Sequence, residues 1–144
     1  MAKRSPKTAA AAPVTVDAVD ELVAKLNTID GLAFVRDAWV NKAPENYGVV
    51  TLSAEAAQLW ADGHVTDSAW NVIVHAYVND DSDGYDKTIQ QKLEALEDEG
   101  KIDLTHTNNR EFDYQTGKVH WQWIVIMYGP LTWEEPAPTP NAGT

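Results

Sequence analysis

Four histidines and one acidic loop are the groups in this chain whose types and spacing could support chemistry. His64, His75, His106 and His120 are scattered, and none sits at the i, i+4 spacing by which one helix face holds a metal ion. His75 and His120 fall in segments with strand character. If those strands are neighbours, the two imidazoles could face each other, and adjacent Asp and Glu residues would allow a hydrolytic metal site. Paired polar positions on the wetter face of a sheet explain the same residues without any reaction. The loop Asn79 to Asp83 sets Asn79, Asp81 and Asp83 at alternate positions before Gly84, as a calcium loop begins. Position twelve of that template is Gln90, which lacks the bidentate carboxylate, so the bland reading is an acidic helix N-terminus favoured by the dipole. There is no G-x-S-x-G, Walker or G-x-G-x-x-G motif and no cysteine nucleophile. The expectation is a protein that is not an enzyme, with no catalytic residue, cofactor or metal.

These side chains need elements to hold them, and the most committed element is Val119 to Tyr128, VHWQWIVIMY. It has no Gly, Pro or acid and is rich in aromatic and β-branched residues, so it reads as a strand. One face is Val119, Trp121, Trp123, Val125 and Met127; the other is His120, Gln122, Ile124, Ile126 and Tyr128. The second face turns apolar halfway, which predicts cover on that side only near the Tyr128 end.

Earlier in the chain, Val19, Leu22, Val23, Leu26 and Ile29 recur at helical spacing from Thr15, with Thr15 or Asp17 as cap and Asp30-Gly31 as the stop. Leu32 to Val40 reads as a strand, with Arg36-Asp37 suggesting an edge or bulge. Tyr47 to Leu52 is a second strand. Ser53 to Ala61 prefers helix by composition, yet two turns alone are marginal in water, and Asp62-Gly63 ends the excursion. Thr66 to Val78 is a long third strand, the expected partner of Val119 to Tyr128. A helix follows, with Tyr85, Ile89, Leu93 and Leu96 buried, capped by the acidic loop and ended by Gly100. Ile102 to Thr107 and Arg110 to Tyr114 form a fourth strand broken near Asn108-Asn109, and QTGK turns it back into the last strand. The order α-β-β-β-α-β-β predicts an α+β domain over residues 14 to 133, with a mostly antiparallel sheet of four to five strands and two helices on one face.

Flanking this domain, residues 1 to 13 read as a flexible basic arm and residues 134 to 144 as a Pro-rich flexible tail. The chain of 144 residues suits one domain, its lack of cysteine fits reducing cytoplasm, and no apolar run approaches the roughly 18 residues of a membrane span. The N-terminus lacks an apolar signal core. Net charge is −11, and the arm holds Lys3, Arg4 and Lys7 without an acid, so the rest carries −14. A body this acidic is poorly suited to gripping phosphates, though it could stand beside nucleic acid as a repelling wall.

Six tryptophans are the remaining excess. Trp70, Trp121 and Trp123 have a sufficient reading as core. Trp60, beside the Asp62-Gly63 turn, and Trp133, after the last strand, sit at element ends where aromatic anchors of contact surfaces occur. The expected assembly interface is Trp60, His64, Asp80, Asp81, Asp83 and Trp133.

The element order, YGVVTL, the WADG turn, AWNVIVHAYVND leading into an acid-preceded helix, and a closing strand pair ending in YGPL together resemble the tail terminator and tail completion proteins of long-tailed bacteriophages. The resemblance covers about Val16 to Trp133. It implies a neck protein forming a ring, generally a hexamer, at the head-proximal end of the tail tube. The implied partners are other copies of the chain, the tail tube protein and a head-completion or connector protein, with DNA passing through the lumen unbound. The implied place is the virion, after assembly in the host cytoplasm. A head-side stopper ring is the nearest alternative, and a small metal-dependent hydrolase or a binding module the more distant one.

Overall fold

The computed structural model describes residues 12–37, 46–61, 64–79, 83–105 and 109–136, with side chains placed except at 53–61 and 64–68. Along them run β1 (Val14–Asp17), α1 (Ala18–Leu26), β2 (Ala33–Arg36), β3 (Tyr47–Ala61), β4 (His64–Val78), α2 (Tyr85–Asp98), β5 (Asp103–Leu104), β6 (Asn109–Asp113), β7 (Lys118–Tyr128) and β8 (Thr132–Glu135). The larger sheet runs β2-β3-β4-β7-β5, with β6 also on β7. Every pairing in it is antiparallel except β2 with β3. The class is α+β with a mostly antiparallel sheet, as the pattern implies. The sheet has six strands rather than four or five, because the broken fourth strand docks on β7 as two separate pieces.

Both helices pack on one face. Val19, Leu22 and Leu26 of α1 and Ile89, Leu93 and Leu96 of α2 are buried with Val72 and Val74 of β4 and Trp123 and Val125 of β7. That alternation of β4 and β7 is the period of two that the sequence shows. β7 is an interior strand, with β4 on one side and β5 and β6 on the other. Its second face is covered opposite to expectation: His120, at the polar end, is buried, whereas Tyr128 is 48% exposed. Aromatic neighbours on β4 shelter His120, so local polarity is a poor guide to cover here.

α1 is capped as expected, the Asp17 carboxylate accepting from the Asp20 amide at 2.9 Å. It stops at Leu26, short of Asp30-Gly31, because Asn27 is drawn into another task. The Phe34 amide donates to Asn27 Oδ1 at 2.6 Å, and Asn27 Nδ2 donates to the Phe34 carbonyl at 3.1 Å. One side chain thus pairs the outer edge of β2 as a strand would. Asn27→Ala should cost about 1–3 kcal/mol, because it strands a buried amide. Chemical denaturation checks this, and an unchanged midpoint would mean that water replaces the asparagine.

β2 is an edge strand, consistent with Arg36-Asp37. Arg36 binds Asp17, Asp20 and Asp37 at 2.9, 2.8 and 3.3 Å. Asp37 adopts φ 50, and its carboxylate accepts from the Leu52 amide. α2 corrects one expectation: its N-cap is Gly84 in the left-handed region, with no side-chain cap. A φ of 74 there favours glycine, so Gly84 occupies the place an acidic cap would need.

Ser53 to Ala61 continues β3 rather than leaving it. Two extra residues enter β3 between Leu52 and Ala57, where the register slips against β4. A long ladder to β4 outweighs the helix preference of Ala, Glu and Gln, and the bulges absorb residues that fit the strand poorly. β8 carries strand structure to Glu135, past the expected domain end at 133, and pairs β1 in a second small sheet. Neither strand is evident in the sequence, since four residues are too few to establish a period.

Candidate functional site

The face of the sheet away from the helices carries the chain's most unusual group of side chains. Tyr47 on β3 stacks on Tyr77 of β4, with ring centroids 4.9 Å apart. Tyr77 stacks on His120 of β7 at 4.4 Å, the planes within 5°. The cause is register: Tyr47 is opposite Tyr77, and Tyr77 opposite His120, so three directly paired positions fall in one row. His75, two residues before Tyr77 on the same face, meets His120 diagonally. The His75 Nδ1 to His120 Nε2 distance is 2.9 Å. Glu111, directly opposite His120 on β6, completes the series with Oε1 3.2 Å from His120 Nδ1.

This series specifies its own protons. A carboxylate only accepts, so His120 Nδ1 carries the hydrogen facing Glu111. Neutral His120 then has Nε2 as acceptor, and His75 Nδ1 donates to it. The His75 and His120 ring centroids are 5.1 Å apart with the planes within 20°. Together with the 2.9 Å nitrogen contact, that places the two rings nearly edge to edge, lone pair facing hydrogen. A tetrahedral zinc ion with bonds of about 2.0–2.1 Å would hold two imidazole nitrogens about 3.3 Å apart, both aimed at a third point. The pair is therefore arranged around a proton, and the expected meeting of His75 and His120 occurs without metal-site geometry. Among the described residues no group of three or more His, Asp or Glu could hold a metal ion.

Burial, and then the charge of His120, pushes the His75 pKa down to about 4, so at neutral pH this ring is uncharged. Burial likewise pushes Tyr77 up to about 12, helped by Tyr47, Asp113 and Glu111. Tyr47 is raised by burial first and Asp113 second. Chemically, the arrangement holds or passes a proton along Glu111, His120 and His75.

Of the expected contact residues, the two with described side chains, Trp133 and Asp83, lie in different places. Trp133 lies on β8, 8% exposed within the main core, with the Lys101 ammonium 5.2 Å from its ring centre. It is a core residue in this chain, which corrects its assignment to a contact surface: β8 folds back on β1 and covers what looked like a free end. Its neighbour Glu135 is held by Lys101 at 2.9 Å, and Lys25 stands 3.1 Å from its other oxygen. The Lys101 bond keeps the Glu135 carboxyl below the usual range. Asp83 is exposed beside an open cleft that it shares with Asp30, Tyr85 and Lys92. Asp80 and Asp81 lie outside the described residues. Trp60 and His64 are placed by backbone alone, paired near the tip of the β3–β4 hairpin as Trp60 with Val65 and Ala61 with His64.

Sequence reasoning passed over the exposed aromatics that do exist. Phe112 and Tyr114, at the end of β6, are 45% and 90% exposed and meet edge to face with centroids 4.9 Å apart. The signal was their position beside QTGK, where a hairpin end has little to cover it. Glu111 was likewise missed, because its partner His120 is nine residues away across a turn. Comparison with protein-family models and with curated proteins finds no match to this chain.

Proposed function

We propose that the chain is a structural virion protein of a bacteriophage, assembling as a hexameric ring at the head-proximal end of the tail tube. There it ends tube growth and joins tail to head. The observation that carries this reading is the β3–β4 ribbon. β7 leaves β4 at Ala69, opposite Tyr128, so from Ser68 to His64 the chain pairs only with Gln58 to Ala61 of β3 among the described residues. That is a two-stranded arm reaching roughly 16 Å beyond the sheet, from about 3.3 Å per residue. An isolated two-stranded ribbon is marginal in water, so an arm of this kind gains its order from a neighbour. The exposed Phe112–Tyr114 pair and the edge strands β2 and β6 offer further contact surface. A heterologous contact of this type closes into a ring when the rotation permits. The net charge of −11 suits a lumen through which DNA passes without sticking. No helix among the described residues is long and apolar enough to cross a membrane.

The test is negative-stain microscopy with mass determination, on the protein alone and after mixing with polymerising tail tube protein from the same virus. Rings, or tubes capped at one end and halted in growth, are expected. Binding to the head connector but never to tubes would assign the head-side stopper role instead. A monomer that neither caps nor shortens tubes, and binds no connector, would overturn the reading.

A further inference from the structure

We propose that Glu111, His120 and His75 form an acid-operated latch on the sheet face away from the helices, closed by one proton shared between two facing ring nitrogens and opened when both rings become cationic. The geometry sets the rule. At 2.9 Å there is room for one hydrogen between His75 Nδ1 and His120 Nε2. A single added proton leaves that bond intact, since either ring can be the cation while the other accepts. A second puts a hydrogen on both facing nitrogens, and the rings must separate. Glu111 holds His120 from its other nitrogen at 3.2 Å, so His75 is the ring that swings away. The face then changes from a neutral aromatic row to a cationic one at its centre.

The groups facing the pair set the sign of the response. β3 contributes Tyr47, β4 Tyr77, β6 Glu111 and Asp113, and β7 Lys118 beside Asp113. The tyrosines stay neutral across the acid range, being raised by burial. Lys118 is bound to Asn79 Oδ1 at 2.6 Å. Glu111 therefore supplies the charge nearest the pair, and it favours protonation. His75 titrates near 4 in the folded chain against an ordinary 6.5, so between those values the unfolded chain binds more protons. Stability from this group is complete above about pH 6.5 and is lost as pH falls toward 4. The latch stands on this geometry and does not depend on whether the chain caps a tube.

The experiment uses the full chain with ¹⁵N-labelled histidine, followed by NMR from pH 7.5 to 3.5, and thermal unfolding of wild type and His75→Gln over the same range. At neutral pH a coupling across the hydrogen bond should join His75 Nδ1 to His120 Nε2; it should vanish near pH 4 as both nitrogens acquire hydrogens. Glutamine can still donate to His120 but cannot titrate. Between pH 6.5 and 4 the unfolding constant should therefore rise about tenfold more in wild type than in His75→Gln, a fraction of the full linkage because the ring is partly solvated. Equal pH slopes in the two proteins would overturn the latch, as would two rings titrating independently near 6.5 with no coupling between them. If His75→Gln does not fold, the wild-type spectra decide alone.

Discussion

Trp123→Ala is expected to cost about 3–5 kcal/mol, a large part of the roughly 5–15 kcal/mol that holds a domain of this size together. Trp123 is fully buried at the centre of β7 on the helix-covered face. Truncation removes the largest fully buried side chain and leaves a cavity between β7 and α2 that neighbours fill only in part. The indole also does something an aliphatic core residue cannot: its Nε1–H donates to Gln90 Oε1 at 2.8 Å and so fastens α2 to the sheet. Trp123→Phe separates the two effects. It keeps much of the ring volume and strands the Gln90 carbonyl oxygen, so the expected loss is about 1–3 kcal/mol. Chemical denaturation of both variants measures this, and a phenylalanine variant as stable as wild type would show that Gln90 finds another donor.

Gly48→Ala is expected to destabilise by roughly 1–3 kcal/mol, against the local preference of a strand. Glycine in a strand interior is disfavoured by about 0.5–1 kcal/mol relative to alanine, so propensity alone predicts a gain. Gly48 lies directly opposite Phe34 in the parallel β2–β3 pair, and a Cβ built there overlaps the Phe34 ring. Phe34 cannot give way easily, since it is buried and its backbone N–H and C=O are both held by the Asn27 side chain. Steric overlap therefore outweighs propensity. Phe34→Leu should be less damaging in the Gly48→Ala background than in wild type, with a coupling above about 0.5 kcal/mol in a double-mutant cycle. Simple additivity, or a Gly48→Ala protein more stable than wild type, would show that the ring does not lie across the glycine.

These two sites differ in how far they could be read beforehand. Trp123 was legible as core because the alternation of β7 is unambiguous, and so were the buried stripes of α1 and α2. Gln90 looked like a failed calcium ligand until the fold turned it toward Trp123. Gly48 looked incidental in YGVVTL, since its reason lies on β2, fourteen residues earlier and paired in parallel. Ser53 to Ala61 preferred helix locally and became strand because β4 offers it a ladder of backbone bonds.

The sequence by itself determined the α+β class, both helices, the hairpin into β7 and the faces of β4 and β7, because a period of 3.6 or 2 is a property of consecutive residues. It also placed His75 and His120 where they could meet. Only the tertiary structure decided that they meet around a proton, that Glu111 completes the series, and that Trp133 is core. Each of those facts depends on which strands are neighbours and in what register. Register is set by packing across the whole sheet, and no stretch of sequence contains it.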